Sequence, residues 1–297
     1  MNDNDIYDTT ITGIKDAAHE AFSRAQIHAL FSRIQHFLNP DKDKLLSLND
    51  VRGILKPRHE VYRGMRTVPV NLIIGSEGRY KDFNTCFDPK TDSTRSRWER
   101  VATAALCGID LPPVQLYEIG GVFFIRDGNH RVSVAVSQGI EHIDAEVICL
   151  ESDIKLRPGI TLPELRGQVI EYEKKIFYSE TFFGDLTDCW TLDFSRTGRY
   201  DVIYNHILVH KYYLNETQIE EIPFSDALIS WYNTIYIPII AIIEEERICA
   251  QFPKRKPSDF YVWVVKRWTD LKQQYGDDYS MREAARPLIN SRKGGTS

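Results

Sequence analysis

The sequence predicts an α+β protein: a small mixed sheet, preceded by a helical segment and followed by an all-helical domain. Three observations predict this class. Two strand-like runs, Val114 to Ile119 and Val122 to Arg126, are separated only by Gly120-Gly121, and primed hairpin turns need residues that accept φ > 0. Asp127-Gly128-Asn129-His130 follows directly and reads as a strand turning into a helix. Beyond residue 160 apolar residues recur at helical spacing, and Thr161–Glu164 and Ser280–Glu283 have the form of capping boxes.

The elements follow in order. In the N-terminal segment, residues 1–55, Thr12 is placed to cap a helix carrying Ile14, Ala18, Ala21, Phe22, Ala25, Leu30, Ile34 and Phe37. Asn39-Pro40 should stop it. Residues 56–152 form the mixed α/β domain. Val68 to Ile74 reads as one short strand, and Gly75 to Thr94 as a polar loop. Arg97 to Cys107 has helical spacing through Trp98, Val101, Ala105 and Leu106, with Gly108 just past its end. The hairpin comes next, then a short helix over Arg131 to Gln138 ended by Gly139, and a final strand over Ile143 to Cys149.

Residues 160–290 form the helical domain. Asp226 to Ile243 is apolar on nearly every side and should be a central helix kinked by Pro238. Trp231, Tyr232, Trp263 and Trp268 are expected in its core. Glu220–Ala227 and Asp277–Ala284 match in residue type, and each follows an aromatic segment, which suggests two similar helix–turn–helix-shaped units.

At 297 residues the chain suits two domains, and with 42% hydrophobic and 27% charged residues it is neither disordered nor low-complexity. The five cysteines are scattered and form no CxxC pair, which argues against a disulfide framework or a thiolate zinc site. The acidic N-terminus has no apolar signal core, and the most apolar run, Ile235 to Ile243, is too short to span a bilayer. A cytoplasmic protein without membrane association is expected. The net charge of −5 disfavours a nucleic-acid coat. Residues 50–150, however, hold 13 basic and 13 acidic side chains, so the surplus acid lies in the flanking helical regions.

The segment from Phe123 to Ala135 carries the most chemistry. Gly128 lets the backbone turn. The first helical turn then presents free N–H groups at the positive end of the helix dipole, which suits phosphate. Gly128, Asn129, His130, Arg131 and Ser133 are the candidate binding residues there. Arg131 offers a forked cation, His130 a hydrogen bond or a titrating ring, and Asp127 an acceptor for a hydroxyl or a metal ion. The same residues also read as an ordinary Asp-Gly-Asn turn with an Asn cap. The loop Gly75 to Phe83 is the second candidate, with Ser76 and Arg79 for phosphate contact and Glu77 between them. Its plain alternative is a surface loop in which Glu77 and Arg79 pair. Arg95, Arg97 and Arg100 either line a phosphate site or solvate one helix face. His206 and His210, four apart on a helix, lack a third metal ligand and read as buried or capping histidines, so no metal site is assigned. Lys254-Arg255-Lys256 reads as a solvated loop.

The run from Val68 to Cys149 resembles the ParB/sulfiredoxin fold. The order is similar: a Val-Pro-led strand, a polar loop, a helix, Pro112-Pro113 before a strand, a hairpin, a Gly-His-Arg-type turn, a short helix and a last strand. In that superfamily the turn carries Gly-x-x-Arg or Gly-Cys-His-Arg forms and opens a phosphate-binding helix that takes CTP in ParB proteins, ATP in sulfiredoxins, and ADP or ATP in free-serine kinases. Asp127-Gly128-Asn129-His130-Arg131 is similar to the Asp-Gly-His-His-Arg form of the kinase-like branch. Asn129 stands where sulfiredoxin has its Cys, and the Glu-Arg-Arg of classical ParB turns is missing. Gly75–Phe83, Ser230–Asn233 with Tyr236-Ile237-Pro238, and Gln251-Phe252-Pro253 resemble segments of a narrower bacterial family labelled ParB-like or transcriptional regulator.

The resemblance implies a nucleoside di- or triphosphate ligand (ATP, ADP or CTP) with Mg²⁺. Glu77 is similar in place to the kinase branch's general base and joins Asp127 as a candidate catalytic residue. The implied reaction is kinase-like phosphoryl transfer to a small hydroxyl substrate, or NTP hydrolysis in a switch. Two other classes stay open: a DNA-binding regulator or partition-like adaptor, disfavoured by charge, and a non-catalytic interaction module.

Overall fold

The computed structural model describes residues 3–35, 44–216, 218–275 and 280–290. The chain divides into two compact units, Met1–Leu165 and Arg166–Ser297. The first is a mixed sheet with helices and the second is helical, so the α+β class holds.

In the first unit, helix α1 (Asp3–Gln35) buries Ala18, Phe22, Ala25 and Ala29, a stripe stepping by four, three and four residues. The stripe packs on α3 (Arg95–Leu106), where Phe22 meets Trp98 edge-on at 5.5 Å. Arg95 lies over Phe22 at 4.5 Å and ion-pairs with Asp92 and Glu99, so it belongs to this helix contact. Thr12 lies inside α1, which begins well before it, and is not its cap. The expected stop at Asn39-Pro40 lies outside the described residues.

Strand β1 (Leu46–Ser47) and helix α2 (Leu48–Leu55) precede the long strand β2 (Glu60–Pro69). Val68 to Ile74 is not one strand. Pro69 ends β2, Val70–Leu72 makes one 3₁₀ turn, and Ile73 opens β3 (Ile73–Ser76). The remaining strands are β4 (Val114–Ile119), β5 (Val122–Asp127) and β6 (His142–Leu150), with α4 (Asn129–Ser137) between the last two. The sheet order is β1-β3-β5-β4-β6-β2. The β1–β3, β3–β5 and β4–β6 pairs are parallel, while β4–β5 and β2–β6 are antiparallel. The predicted single strand therefore serves two distant places: β2 at the edge beside β6, and β3 in the interior beside β5. The Gly120-Gly121 turn closes the β4–β5 hairpin with φ of 62° and 92°, as a primed turn requires.

Helix α5 (Leu162–Thr181) begins at the end of the first unit and continues into the second. Thr161 N–H donates to Glu164 Oε2 at 2.9 Å and Glu164 N–H to Thr161 Oγ1 at 3.4 Å, completing the expected capping box. Helices α6 (Phe183–Thr187), α7 (Arg199–Asn215) and α8 (Phe224–Trp231) follow. A π turn over Tyr232–Tyr236 then leads into α9 (Ile237–Glu245). Ile237 N–H reaches back five residues to Tyr232 O, a widening just ahead of Pro238, which has no N–H to give. The continuous run Phe224–Glu245, at 22 residues, is long and apolar enough to cross a membrane by length and composition. Ile235 to Ile243, the most apolar stretch, is the C-terminal part of this run. The run's buried side, with Leu228, Trp231, Ile239 and Ile243, lies in the core of this unit.

Helix α10 (Pro257–Tyr275) supplies Tyr261, whose hydroxyl accepts from Trp231 Nε1 at 3.0 Å. The last helix is α11 (Met281–Asn290), opened by the Ser280–Glu283 box. The two sequence echoes fall on the helix pairs α7/α8 and α10/α11, and Ala227 and Ala284 are both fully buried, although Asp277 to Tyr279 lie outside the described residues. Trp231 is in the core as expected. Trp263 is 37% exposed, with Arg267 over its ring at 5.7 Å.

Candidate functional site

The strand-to-helix junction is built as the sequence suggests. Gly128 sits between β5 and α4 at φ 106°, ψ 22°, and a Cβ there would lie 2.7 Å from Val114 Cγ1. No side chain caps α4, and the first intrahelical bond runs from Val132 N–H to Gly128 O at 3.0 Å. The N–H groups of Asn129, His130 and Arg131 precede that bond and have no helical partner.

A cavity of about 460 Å³ opens against this end of α4, lined by Gly78, Arg79, Arg97, Val101, Arg126 and Asp127, by the α4 start through Arg131, and by Leu111 and Pro112. Arg97 makes no ion pair among the described residues. Arg126 lies over the Tyr117 ring at 5.8 Å, and Arg79 bonds Asp82 through Nη1 at 3.1 Å. Asp127 is the single carboxylate of the lining. Two buried polar atoms here lack a partner: Asn129 Oδ1 and His130 Nδ1. The His130 ring stands edge-on to Phe83 at 5.5 Å. Its pKa is pushed down to about 4, chiefly by burial, then by Arg97 and Arg79, against an opposing pull from Asp82. His130 is therefore neutral near pH 7.

The loop that brings Arg79 here is anchored at its far end, beyond Asp82. Asn84 is fully buried; its Oδ1 accepts from Cys86 N–H at 3.0 Å and Asp88 N–H at 2.8 Å. Phe83 and Phe87 plug into the core on either side of it. The predicted polar loop is thus anchored by two core aromatics, and Asp88 is bonded to His28 Nδ1 at 2.6 Å.

The site residues expected from sequence divide into three groups. Asn129, His130, Gly128, Arg79 and Asp127 line the cavity. Arg131 lines it too, but its Nη1 donates to the carbonyls of Pro112 and, at 2.7 Å, Pro113, while Nη2 pairs with Asp127. Arg131 and Asp127 thus hold the Pro112-Pro113 lead-in of β4 onto the α4 start, and the guanidinium fork expected to grip phosphate is engaged there. Ser76 and Ser133 do not face the cavity. Ser76 is fully buried and its hydroxyl donates to Ile125 O at 3.2 Å. Ser133 donates to Phe87 O at 2.6 Å and accepts from Trp98 Nε1 at 2.7 Å, so its hydroxyl joins α4, α3 and the loop. Both are corrected from ligand contacts to supports. Glu77 is half-buried with its N–H on Ile125 O at 2.9 Å, and it is not on the cavity wall although its neighbours Gly78 and Arg79 are. Its carboxylate does not pair with Arg79, which turns to Asp82 instead.

Sequence reading floated Arg97 and missed Arg126. Arg126 stands directly before the turn, and strand alternation relative to buried Ile125 was the available signal. Among the described residues no three His, Cys, Asp or Glu side chains gather to hold a metal ion. His206 bonds Tyr261 Oη at 3.1 Å and His210 bonds Ser230 Oγ at 2.9 Å, which satisfies both rings locally. The chain matches no protein-family model, no curated protein and no solved structure.

Proposed function

We propose that the first unit is a nucleotide-binding domain of ParB/sulfiredoxin type, taking a nucleoside di- or triphosphate in the cavity at the α4 start. One observation carries this: Arg79, Arg97 and Arg126 converge on a helix start whose N–H groups are free and whose Asn129 and His130 keep unpartnered buried atoms. Such a donor set matches phosphate oxygens by charge and by direction. Asn129 Oδ1 is an acceptor and suits a hydroxyl or amino group of the same ligand. With Asp127 held by Arg131, a Mg²⁺ ion would arrive on the phosphates, with Asp127 the nearest carboxylate for it.

Glu77 bears on turnover. Its carboxylate has no partner among the described residues and stands one residue from the cavity lining, so phosphoryl transfer to a small hydroxyl requires the Gly78 loop to bring it inward. Calorimetric titration with ATP, ADP, CTP and GTP, with and without Mg²⁺, tests the reading. At least one should bind with an affinity that falls about tenfold or more in Arg97→Ala, the loss of one charge-assisted contact. Absence of heat from all four at millimolar concentration overturns it.

A further inference from the structure

The helical unit holds a second cationic cavity, of about 780 Å³, remote in sequence from the first. Arg166, Arg196, Lys254 and Arg255 line it together with Ser195, Thr197 and Phe252. No carboxylate lines it. Arg166, Arg196 and Lys254 make no ion pair among the described residues, and the Arg255 side chain bonds Ser195 Oγ at 3.3 Å. Four cations line one recess with no carboxylate in its lining, and an anionic ligand would answer their charge.

The nearby carboxylates are engaged in building the recess. Asp259 accepts from Ser195 N–H through both oxygens at 3.2 Å and from Lys256 N–H at 2.9 Å, which ties the loop before α7 to the loop before α10. Glu173 takes the Gly198 N–H at 2.8 and 2.7 Å. The turn of the second loop is closed by Arg255 N–H on Phe252 O at 2.8 Å. These bonds fix the backbone from which Arg196, Lys254 and Arg255 project. Gln251 Nε2, also at this wall, is a buried donor without a partner. Hydroxyls at Ser195 and Thr197 add donors, and exposed Phe252 offers an apolar face.

The geometry points to a binding site for a compact phosphorylated ligand in the helical unit, separate from the proposed nucleotide cavity. The recess has the size of metabolite sites, and the acidic surplus of the helical regions disfavours a long nucleic-acid backbone. It also turns Lys254-Arg255-Lys256 from a solvated loop into one wall of a cradle.

The test uses the full chain carrying Arg79→Ala and Arg97→Ala, which removes two of the three arginines assigned to the first cavity's phosphate contact. Inorganic tripolyphosphate should bind this protein at one site per chain. Adding Arg166→Gln, Arg196→Gln and Lys254→Gln should weaken binding about tenfold or more, with an unchanged circular-dichroism melt because all three side chains are exposed. Equal affinity in the two proteins overturns the site, as does no binding at millimolar tripolyphosphate. Binding of a short single-stranded DNA that depends on the same three cations, without tripolyphosphate binding, also overturns the compact-ligand assignment in favour of a nucleic-acid surface.

Discussion

The two cationic cavities differ in what their backbone offers. At the α4 start the N–H groups of Asn129, His130 and Arg131 have no helical partner, and these residues line the recess together with arginines. In the helical unit two loop amides, Ser195 and Gly198, are already taken by Asp259 and Glu173, and four long cationic side chains line the recess. A cradle of fixed amides recognises the shape of an anion, because each N–H has one direction. A cradle of long cationic side chains recognises charge and tolerates more shapes. The first therefore depends on the backbone geometry of one turn, whereas the second depends on how many positive groups are retained.

Three measurements sharpen this contrast. The largest effect belongs to Trp98→Ala, which removes a fully buried indole and the bond that holds Ser133 of α4. The first unit should lose about 3–5 kcal/mol in chemical denaturation, and amides of α4 should exchange faster while those of α10 keep their protection. Equal loss of protection in α10 would show that the two cavities share one support.

Gly128→Ala comes next. A side chain at φ 106° is strained and its Cβ meets Val114, so a cost of about 1–3 kcal/mol is expected in the same assay. Nucleotide binding should fall further than stability does, because the amide directions change. Tripolyphosphate binding in the helical unit should stay as it was.

The third effect is electrostatic and is read at His130. Its folded pKa, about 4, lies below its ordinary 6.5. The unfolded chain therefore takes up a proton that the folded chain refuses between those values. The stabilisation from neutral His130 is fully present above pH 6.5 and is lost as the pH falls toward 4. Arg97→Ala should raise this pKa, since Arg97 is the largest charge pushing it down, and a bound phosphate should raise it too. Histidine NMR titration reads both. An unmoved His130 signal in saturating nucleotide would separate the ring from the ligand.

Much of the first unit was legible because its signals are local. Gly120-Gly121 imposes positive φ, Gly128 permits the turn, and Gly108 and Gly139 end helices, so the hairpin and the two short helices fell within a residue or two of their places. Strand β2 was missed over Glu60 to Thr67 because it is an edge strand with exposed residues on both faces, leaving no alternation to read. Val68 to Ile74 was merged into one strand because an unbroken apolar run carries no mark of the 3₁₀ turn inside it. At the site, the turn was legible and the roles were not. Arg131 and Ser133 have the right chemistry for phosphate, but the Pro112 and Pro113 carbonyls and the Phe87 carbonyl lie closer, and these are contacts across the chain that spacing cannot show.

By itself the sequence determined the class, the hairpin, the two capping boxes and the turn at Gly128, since each rests on the conformational preferences of a few adjacent residues. Only the tertiary structure decided which polar groups remain free. A hydrogen bond goes to the nearest well-placed partner, and for Arg131, Ser133 and Asp259 that partner lies far away in sequence. The same folding left Arg97, Arg126, Arg166 and Arg196 without an ion pair among the described residues and gathered them, two to each cavity, around a recess.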